Sequence, residues 1–174
     1  FFKQKTAYEM RISDWSSDVC SSNLVTDIVT TPFRSGVDDA RWLAVNNAAF
    51  ADHLEQGGWT QSTLDSRKQE PWFNPNGFLL LNEGDELAGF CWTKVHLDTS
   101  PVLGEIYVIA VHPRFSGKGL GRALTIAGLT HLQRAGISTG MLHVDADNER
   151  AVKLYMSLGF TITNQQRAFV GDVN

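Results

Sequence analysis

The chain has 174 residues, of which 43% are hydrophobic and 20% charged, a composition that suits one globular domain with one sizeable core. The formal net charge of −4 argues against a general basic surface, so we expect neither nucleic acid nor a membrane as a partner. Cys20 and Cys91 are too few for a disulfide framework and form no metal cluster. No apolar run reaches membrane-spanning length. We expect a cytoplasmic protein without a metal.

The first residues differ in character from the rest. Residues 1–24, FFKQKTAYEMRISDWSSDVCSSNL, lack the continuous apolar centre of a signal peptide and carry a polar serine run. They show neither helical nor strand periodicity. Their segment DWSSDVCSS resembles the translation of a sequencing-library adapter. We predict a non-native or disordered leader over 1–24, with a natural disordered leader as the alternative, and one domain over 25–174.

Strand and helix patterns alternate after this leader. The predicted elements in chain order are strand 27–33, helix 38–50 capped by Asp38, helix 60–68 capped by Thr60, hairpin 78–96, strand 104–112, helix 119–135, strand 139–146, helix 148–158 capped by Asn148, and short strands 159–163 and 166–171. The hairpin is antiparallel, whereas 104–146 is a strand–helix–strand crossover. We therefore predict an α/β fold with a mixed sheet, rather than a fully parallel doubly wound one.

The strand GEIYVIAVH, 104–112, is predicted to lie in the centre of the sheet. Simple alternation directs one set of side chains to each face, Glu105, Tyr107, Ile109 and Val111 to one and Ile106, Val108 and Ala110 to the other. Because both sets contain apolar residues, we expect layers of structure on both sides of this strand.

The loop HPRFSGKGLGRAL, 112–124, has the glycines of a phosphate cradle. A Walker loop is excluded because Lys118 is followed by Gly119 rather than by Ser or Thr. The spacing of Gly117, Gly119 and Gly121 departs from the dinucleotide fingerprint. Two interpretations remain from the residues alone. One is a pyrophosphate cradle at a helix N-terminus, and the other is a tight turn that binds nothing.

Two motifs in order resemble the acetyl-coenzyme-A-binding core of the GNAT N-acetyltransferases. VHPRFSGKGLGRAL matches the family pattern Q/R-x-x-G-x-G/A, except that Ser116 stands where Gln or Arg is usual and loses one side-chain contact. LHVDADNERAVKLYMSLGF matches N-x-x-A-x-x-x-Y-x-x-x-GF from Asn148 to Phe160. The resemblance implies the GNAT acyl-CoA N-acyltransferase fold, a central mixed β-sheet flanked by helices, with acetyl-CoA as co-substrate.

Further segments resemble the C-terminal catalytic domain of the mycothiol synthases. They include VNNAAF, EQGGWT, GFCWTKVH and LGEIYVIAVHP, and the similarity covers about residues 38–165. This resemblance implies transfer of acetyl to a small-molecule amine, the cysteinyl amine of a cysteine–glucosamine–inositol pseudodisaccharide. It also implies a missing N-terminal tandem domain. The alternatives are a different small-molecule or protein amine as acceptor, or a catalytically inert truncated module.

The resemblance also assigns roles to residues. Glu105 is implied as the general base and Tyr155 as the general acid, the alternatives being a solvent-exposed strand-end carboxylate and a core tyrosine. The implied cofactor-binding residues are Ile109, Ala110, Val111, Ser116, Gly117, Lys118, Gly119, Leu120, Gly121, Arg122, Asn148, Arg150 and Lys153. The implied substrate-binding residues are Glu55, Lys94, Glu105 and His143.

The other histidines and the tryptophans are interpreted as structural. His53, His96, His112 and His131 lack metal-ligand spacing and are predicted to be structural or surface residues. The three tryptophans considered, Trp59, Trp72 and Trp92, are predicted to lie in the core rather than to form binding platforms.

Overall fold

The computed structural model describes residues 3–13, 26–51, 53 and 56–170. Within these ranges a seven-stranded mixed sheet has the order β2-β3-β4-β5-β6-β1-β7. Its strands are β1 (Lys3–Ser13), β2 (Thr30–Pro32), β3 (Phe78–Glu83), β4 (Glu86–His96), β5 (Leu103–Val111), β6 (Thr139–Asp145) and β7 (Thr161–Val170). The α-helices are α1 (Asp39–Ala49), α2 (Gln61–Lys68), α3 (Leu120–Arg134) and α4 (Glu149–Ser157). The predicted α/β class with a mixed sheet is confirmed.

Helices cover both faces of the sheet. On one face Trp42 of α1 and Leu64 of α2 belong to an aromatic-rich core, in which the rings of Phe78 and Trp92 stack with centroids 4.2 Å apart. On the other face α3 and α4 form a mainly aliphatic core around Leu124. The predicted burial of the central strand from both sides is therefore confirmed. In the described residues no helix has the length and apolarity needed to cross a membrane.

A β-bulge at Tyr107 changes which side chains of β5 share a face. The consecutive β4 residues Trp92 and Thr93 pair with Val108 and Ile106, so Tyr107 is an extra residue in its strand. Ile106 consequently lies in the aliphatic core, whereas Val108 lies in the aromatic core. The predicted regular alternation is wrong beyond Tyr107, because the bulge inserts one residue into a period of two and leaves Tyr107 and Val108 on the same side.

The N-terminal residues differ from the expectation of a disordered leader. Lys3–Ser13 forms β1 between β6 and β7, antiparallel to both. Its apolar residues Met10 and Ile12 are 0% and 3% exposed and alternate with Glu9 and Arg11. This is a strand periodicity, which is difficult to recognise in the sequence because the segment is short and flanked by polar residues. Residues 14–24 lie outside the described ranges.

Other element boundaries also differ from prediction. β2 is shorter than the predicted strand 27–33, and the two short strands predicted near the C-terminus are one strand, β7. β7 is long because it pairs with β1 over most of its residues. The prediction did not include β1, which is distant from β7 in the sequence.

Two of the three predicted helix caps are confirmed. The hydroxyl of Thr60 accepts a hydrogen bond from the Thr63 N–H at 3.2 Å, and Oδ1 of Asn148 accepts one from the Ala151 N–H at 3.2 Å. These bonds fix where α2 and α4 begin.

The predicted capping role of Asp38 is wrong. Its carboxylate turns back and accepts hydrogen bonds from the backbone N–H of Arg34 at 2.8 Å and from the guanidinium groups of Arg34 and Arg41. The side-chain hydrogen bond from Arg34 lowers the pKa of Asp38 to about 2 although the group is buried. The two arginines compete successfully with the helix N–H groups for the same oxygens.

The tight packing of α3 against the sheet at Gly128 can be tested. A Cβ at Gly128 would lie 2.5 Å from the Sγ of buried Cys91, so Gly128→Ala overpacks the core. We expect a lower free energy of unfolding in urea, because overpacking costs ~1–3 kcal/mol. That cost outweighs the gain of ~1 kcal/mol from alanine in a helix.

Gly121→Ala on the same helix is the matched control, since its nearest neighbour, Leu154, would be 3.7 Å from the new Cβ. It should not lower the free energy of unfolding. Combining Gly128→Ala with Cys91→Ala should recover part of the loss in a double-mutant cycle. A Gly128→Ala chain as stable as the parent would contradict the described contact.

Candidate active site

The loop between β5 and α3 presents backbone N–H groups to solvent-filled space. Gly117 and Gly119 have φ angles of 83° and 76°, and nothing lies within 4 Å of the position of a Cβ at either residue. Gly119 precedes α3 and offers no side-chain cap to it. The first N–H groups of a 15-residue helix therefore point toward open space, which suits an anion.

These groups border a cavity of about 330 Å³. Most of the predicted cofactor-binding residues line it: Ile109, Ala110, Val111, Ser116, Gly117, Gly119, Leu120, Gly121, Arg122, Asn148 and Arg150. Lys118 and Lys153 are not among the lining residues. The Nζ of Lys118 lies 5.1 Å from the centroid of the Phe115 ring, and Lys153 donates to the carboxylate of Glu149 at 3.0 Å.

Strands β5 and β6 separate next to this cavity. They pair in parallel from Leu103 to Ile106, and the bulge residue Tyr107 follows directly. Beyond Ile106 the described chain has no further β5–β6 ladder pairs. The result is a cleft of about 540 Å³ between the two strands, bordered by backbone groups of β5 that a ladder would otherwise use.

Tyr155 lines both the cavity and the cleft, so it lies where the two spaces meet. Its position on the inner face of α4 leaves the residue 7% exposed, with its ring centroid 5.8 Å from that of Phe160. Burial raises the pKa of Tyr155 well above the usual value of a phenol. At neutral pH the hydroxyl therefore retains its proton and can donate it to a group in either space.

Glu105 is buried, which contradicts the alternative of a solvent-exposed carboxylate. The residue is 8% exposed, and its two carboxylate oxygens lie 2.8 Å from Nε2 of His96 and 3.4 Å from Nδ1 of His143. Burial by itself would raise the pKa of Glu105, but hydrogen bonds from His143 and His96 outweigh it and hold the pKa below its usual range. A negative charge is thus maintained beside the cleft.

The predicted substrate-binding residues are only partly described. Lys94 lies opposite Glu105 in the β4–β5 ladder, and its Nζ is 4.8 Å from the centroid of the Trp72 ring and 5.8 Å from that of Tyr107. His143 lines the cleft. Glu55 lies outside the described residues, and the prediction for it stands untested.

Two histidines at the site have contacts that the sequence interpretation missed. His96 follows Lys94 by two residues on β4 and therefore shares its face, a signal that strand alternation could have provided. His53 lies 3.1 Å from Asp145 across the cleft, a pairing without any local signal because 92 residues separate the two. Among the residues described, no group of three or more His, Cys, Asp or Glu side chains is arranged to hold a metal ion.

The profile of the acetyltransferase (GNAT) family matches residues 42–160. The chain therefore belongs to the GNAT acetyltransferase family, as its sequence motifs predicted. A mycothiol acetyltransferase from Streptomyces avermitilis is 52% identical over 143 residues, which cover 82% of this chain and 46% of that relative. The chain thus spans about half the length of the curated relatives it matches.

Solved structures support the fold. A GCN5-related N-acetyltransferase from Sphaerobacter thermophilus superposes with a TM-score of 0.72 at 20% identity, covering 97% of this chain and 53% of that one. The ribosomal-protein-S18-alanine N-acetyltransferase of Escherichia coli gives a TM-score of 0.61 at 28% identity, covering 75% of this chain and 76% of that one. The GNAT family uses acetyl-CoA, and the open glycine cradle at the N-terminus of α3 fits the diphosphate of that molecule.

The position of Tyr155 gives a prediction about turnover. Tyr155→Phe removes the hydroxyl while keeping the ring that packs near Phe160, so the fold should be retained. We expect the turnover number in an acetyl-transfer assay to fall ~10²-fold or more, the usual contribution of a general acid. Binding of acetyl-CoA, measured by calorimetry, should change little.

Tyr8→Phe is the matched control, because Tyr8 packs against the aliphatic core and is not among the residues lining the cleft or the cavity. It should leave turnover unchanged. Unaltered kinetics in Tyr155→Phe would return Tyr155 to a purely structural role.

Proposed function

We propose that this chain transfers the acetyl group of acetyl-CoA to a primary amine, the cysteinyl amine of a cysteine–glucosamine–inositol pseudodisaccharide. The observation that carries the transfer reaction is that Tyr155 borders both the glycine-lined cavity and the cleft between the separated strands. The choice of acceptor is supported by 52% identity to a mycothiol acetyltransferase. Because the chain covers 46% of that relative, a tandem N-terminal domain is part of the proposal.

The cavity residues would hold the acyl carrier. The N–H groups at Gly119 to Arg122 would bind the diphosphate, and Arg150 would add positive charge, since all of these residues line the same cavity. The unpaired edge of β5 at Ile109 to Val111 offers hydrogen bonds to the extended arm that carries the thioester. Ser116 contributes a short polar side chain, and the backbone therefore supplies most of the contacts.

The cleft would hold the acceptor. Next to the residues that line the cleft, the Lys94 ammonium lies over the Trp72 ring, so a cation and an aromatic face meet near Glu105, a combination that suits a sugar with many hydroxyl groups. His143 and the His53–Asp145 pair add polar groups to the lining of the cleft. The Glu105 carboxylate beside the cleft also favours the positively charged ammonium form in which the acceptor arrives.

The side chains then account for the proton transfers. An ammonium has no lone pair for attack, so one proton must leave to a base beside the cleft, where Glu105 and its partner His143 lie, and from there to solvent. Backbone N–H groups at Ile109 to Val111 stabilise the oxyanion while the C–N bond forms and the C–S bond breaks. The Tyr155 hydroxyl gives its proton to the departing thiolate and regains one from the nitrogen that has become an amide.

A panel of amine acceptors tests this proposal. The chain is incubated with acetyl-CoA and equal concentrations of the cysteinyl pseudodisaccharide, glucosamine, free cysteine and a peptide with an N-terminal alanine, and CoA release is measured. We expect the pseudodisaccharide to give the highest kcat/KM, by at least ~10-fold, because it alone combines the cysteinyl amine with the hydroxyl groups of the sugar and inositol.

The peptide represents the alternative acceptor, since the Escherichia coli relative is named for an alanine of a ribosomal protein. A preference for the peptide would keep the acetyltransferase and replace the substrate. No CoA release with any amine, together with no heat on titration with acetyl-CoA, would instead indicate an inert module.

A further inference from the structure

Three side chains from adjacent strands form a continuous group at the cleft. The β4–β5 register places Lys94 opposite Glu105 and His96 two residues further along β4, and the β5–β6 register places Met141 beside Glu105 with His143 two residues further along β6. The His96–Glu105 and Glu105–His143 contacts measure 2.8 Å and 3.4 Å. Each carboxylate oxygen of Glu105 therefore faces a histidine nitrogen.

The members of this group differ in access to the cleft. The His143 side chain is 40% exposed and lines the cleft, whereas the Glu105 side chain is 10% exposed and is not among the lining residues. His96 is 23% exposed and lies on the far side of Glu105 from the cleft wall. An amine bound in the cleft consequently reaches the imidazole of His143 before it reaches the carboxylate.

We propose that His143, rather than Glu105, accepts the proton of the acceptor ammonium, that Glu105 orients and stabilises the His143 ring, and that His96 positions Glu105. This inference rests on the acetyl-transfer function proposed above. An ionised carboxylate can only accept hydrogen bonds, so Nδ1 of His143 must carry a proton and its Nε2 has the free lone pair. Glu105 and His96 would be positioning residues for His143.

The proton balance of this step is simple. One N–H bond of the ammonium breaks and an Nε2–H bond forms on His143, which becomes an imidazolium paired with Glu105. The freed lone pair of the amine then attacks the thioester carbonyl. His143 returns the proton to water through its exposed edge, so the step needs no other reactant.

The charges around His143 favour this assignment. The hydrogen bond with Glu105 raises the pKa of His143, and the carboxylate of Glu9, opposite His143 in the β1–β6 ladder, adds to the effect. Asp145, which is paired with His53, lies two residues further along β6. An imidazole whose pKa is raised is a stronger base at neutral pH than a carboxylate whose pKa is lowered.

The sign of the pH dependence follows. His143 is protonated below its raised pKa and is inactive as a base there, so kcat/KM should increase as the pH rises through that pKa. Were Glu105 the direct base, the corresponding limb would lie below the usual range of a carboxylate, and the rate would be flat near neutral pH.

The test compares pH–rate profiles of the full chain from about pH 5 to about pH 9, a range that spans histidine titration. His143→Gln should lower kcat/KM ~10²-fold or more, lose the limb assigned to His143 and regain activity when free imidazole is added. Glu105→Gln should keep measurable activity. The limb of its pH–rate profile should move to lower pH, because the group that raises the pKa of His143 has been removed. The control His131→Gln lies outside the cleft and should leave the profile unchanged.

Variants at His96 test its positioning role. The Nε2 of a glutamine reaches about as far as the histidine nitrogen that contacts Glu105, so His96→Gln should keep most of the activity. His96→Leu should lower kcat ~10-fold, because a small displacement of the catalytic groups is costly, with little change in the KM for acetyl-CoA. An equal loss of kcat in His96→Gln and His96→Leu, with no shift in the limb of the pH–rate profile, would contradict positioning by His96.

One further measurement separates the two proposals. Histidine titration followed by NMR does not need turnover, and it should give His143 a pKa above the usual histidine value that falls in Glu105→Gln. A parent chain that transfers acetyl to no amine would overturn the proposed function. A parent that is active, together with a His143→Gln variant of unchanged rate and profile, would overturn the role of His143.

Discussion

The separation of β5 from β6 is the constraint on which the site depends. A parallel ladder holds the strands together through Ile106, and the bulge at Tyr107 then turns the β5 backbone out of register. Backbone N–H and C=O groups that are left without a strand partner need another one, and an extended substrate in the cleft can supply it. If β6 continued to pair along β5, the cleft would close. The glycine-lined cavity would then have no cleft to meet at Tyr155.

The two cores hold the strands in this arrangement. On one face the aromatic cluster around Trp92 fixes β4 and the bulged half of β5, and pairs of aromatic rings contribute ~0.5–1.5 kcal/mol each beyond their burial. On the other face α3 packs so closely that Gly128 has no room for a side chain beside Cys91. Tyr155 belongs to this second core, so this residue, which lines both the cavity and the cleft, is held by ordinary apolar packing.

A buried carboxylate next to the cleft is the main electrostatic feature. Removing a charge from water is costly, and it is tolerated when hydrogen-bonding partners compensate for the lost solvation. His96 and His143 are those partners for Glu105, from the strands on either side. The N-terminal strand β1 adds a further carboxylate near this group, since it places Glu9 opposite His143. The sheet order therefore determines the charge at the site.

The sequence by itself determined the helices α1 to α4, the hairpin of β3 and β4, the strands β5 and β6, and the cradle, because these depend on neighbours within a few residues. The apolar runs of β3 and β4, the caps Thr60 and Asn148 and the glycines before α3 are local patterns of this kind. Only the tertiary structure decided the bulge, the place of β1 and the contacts of His96 and His53, since each is fixed by a partner on another strand or loop. A period of two cannot signal an inserted residue, and a contact between two distant side chains leaves no trace in the sequence around either one.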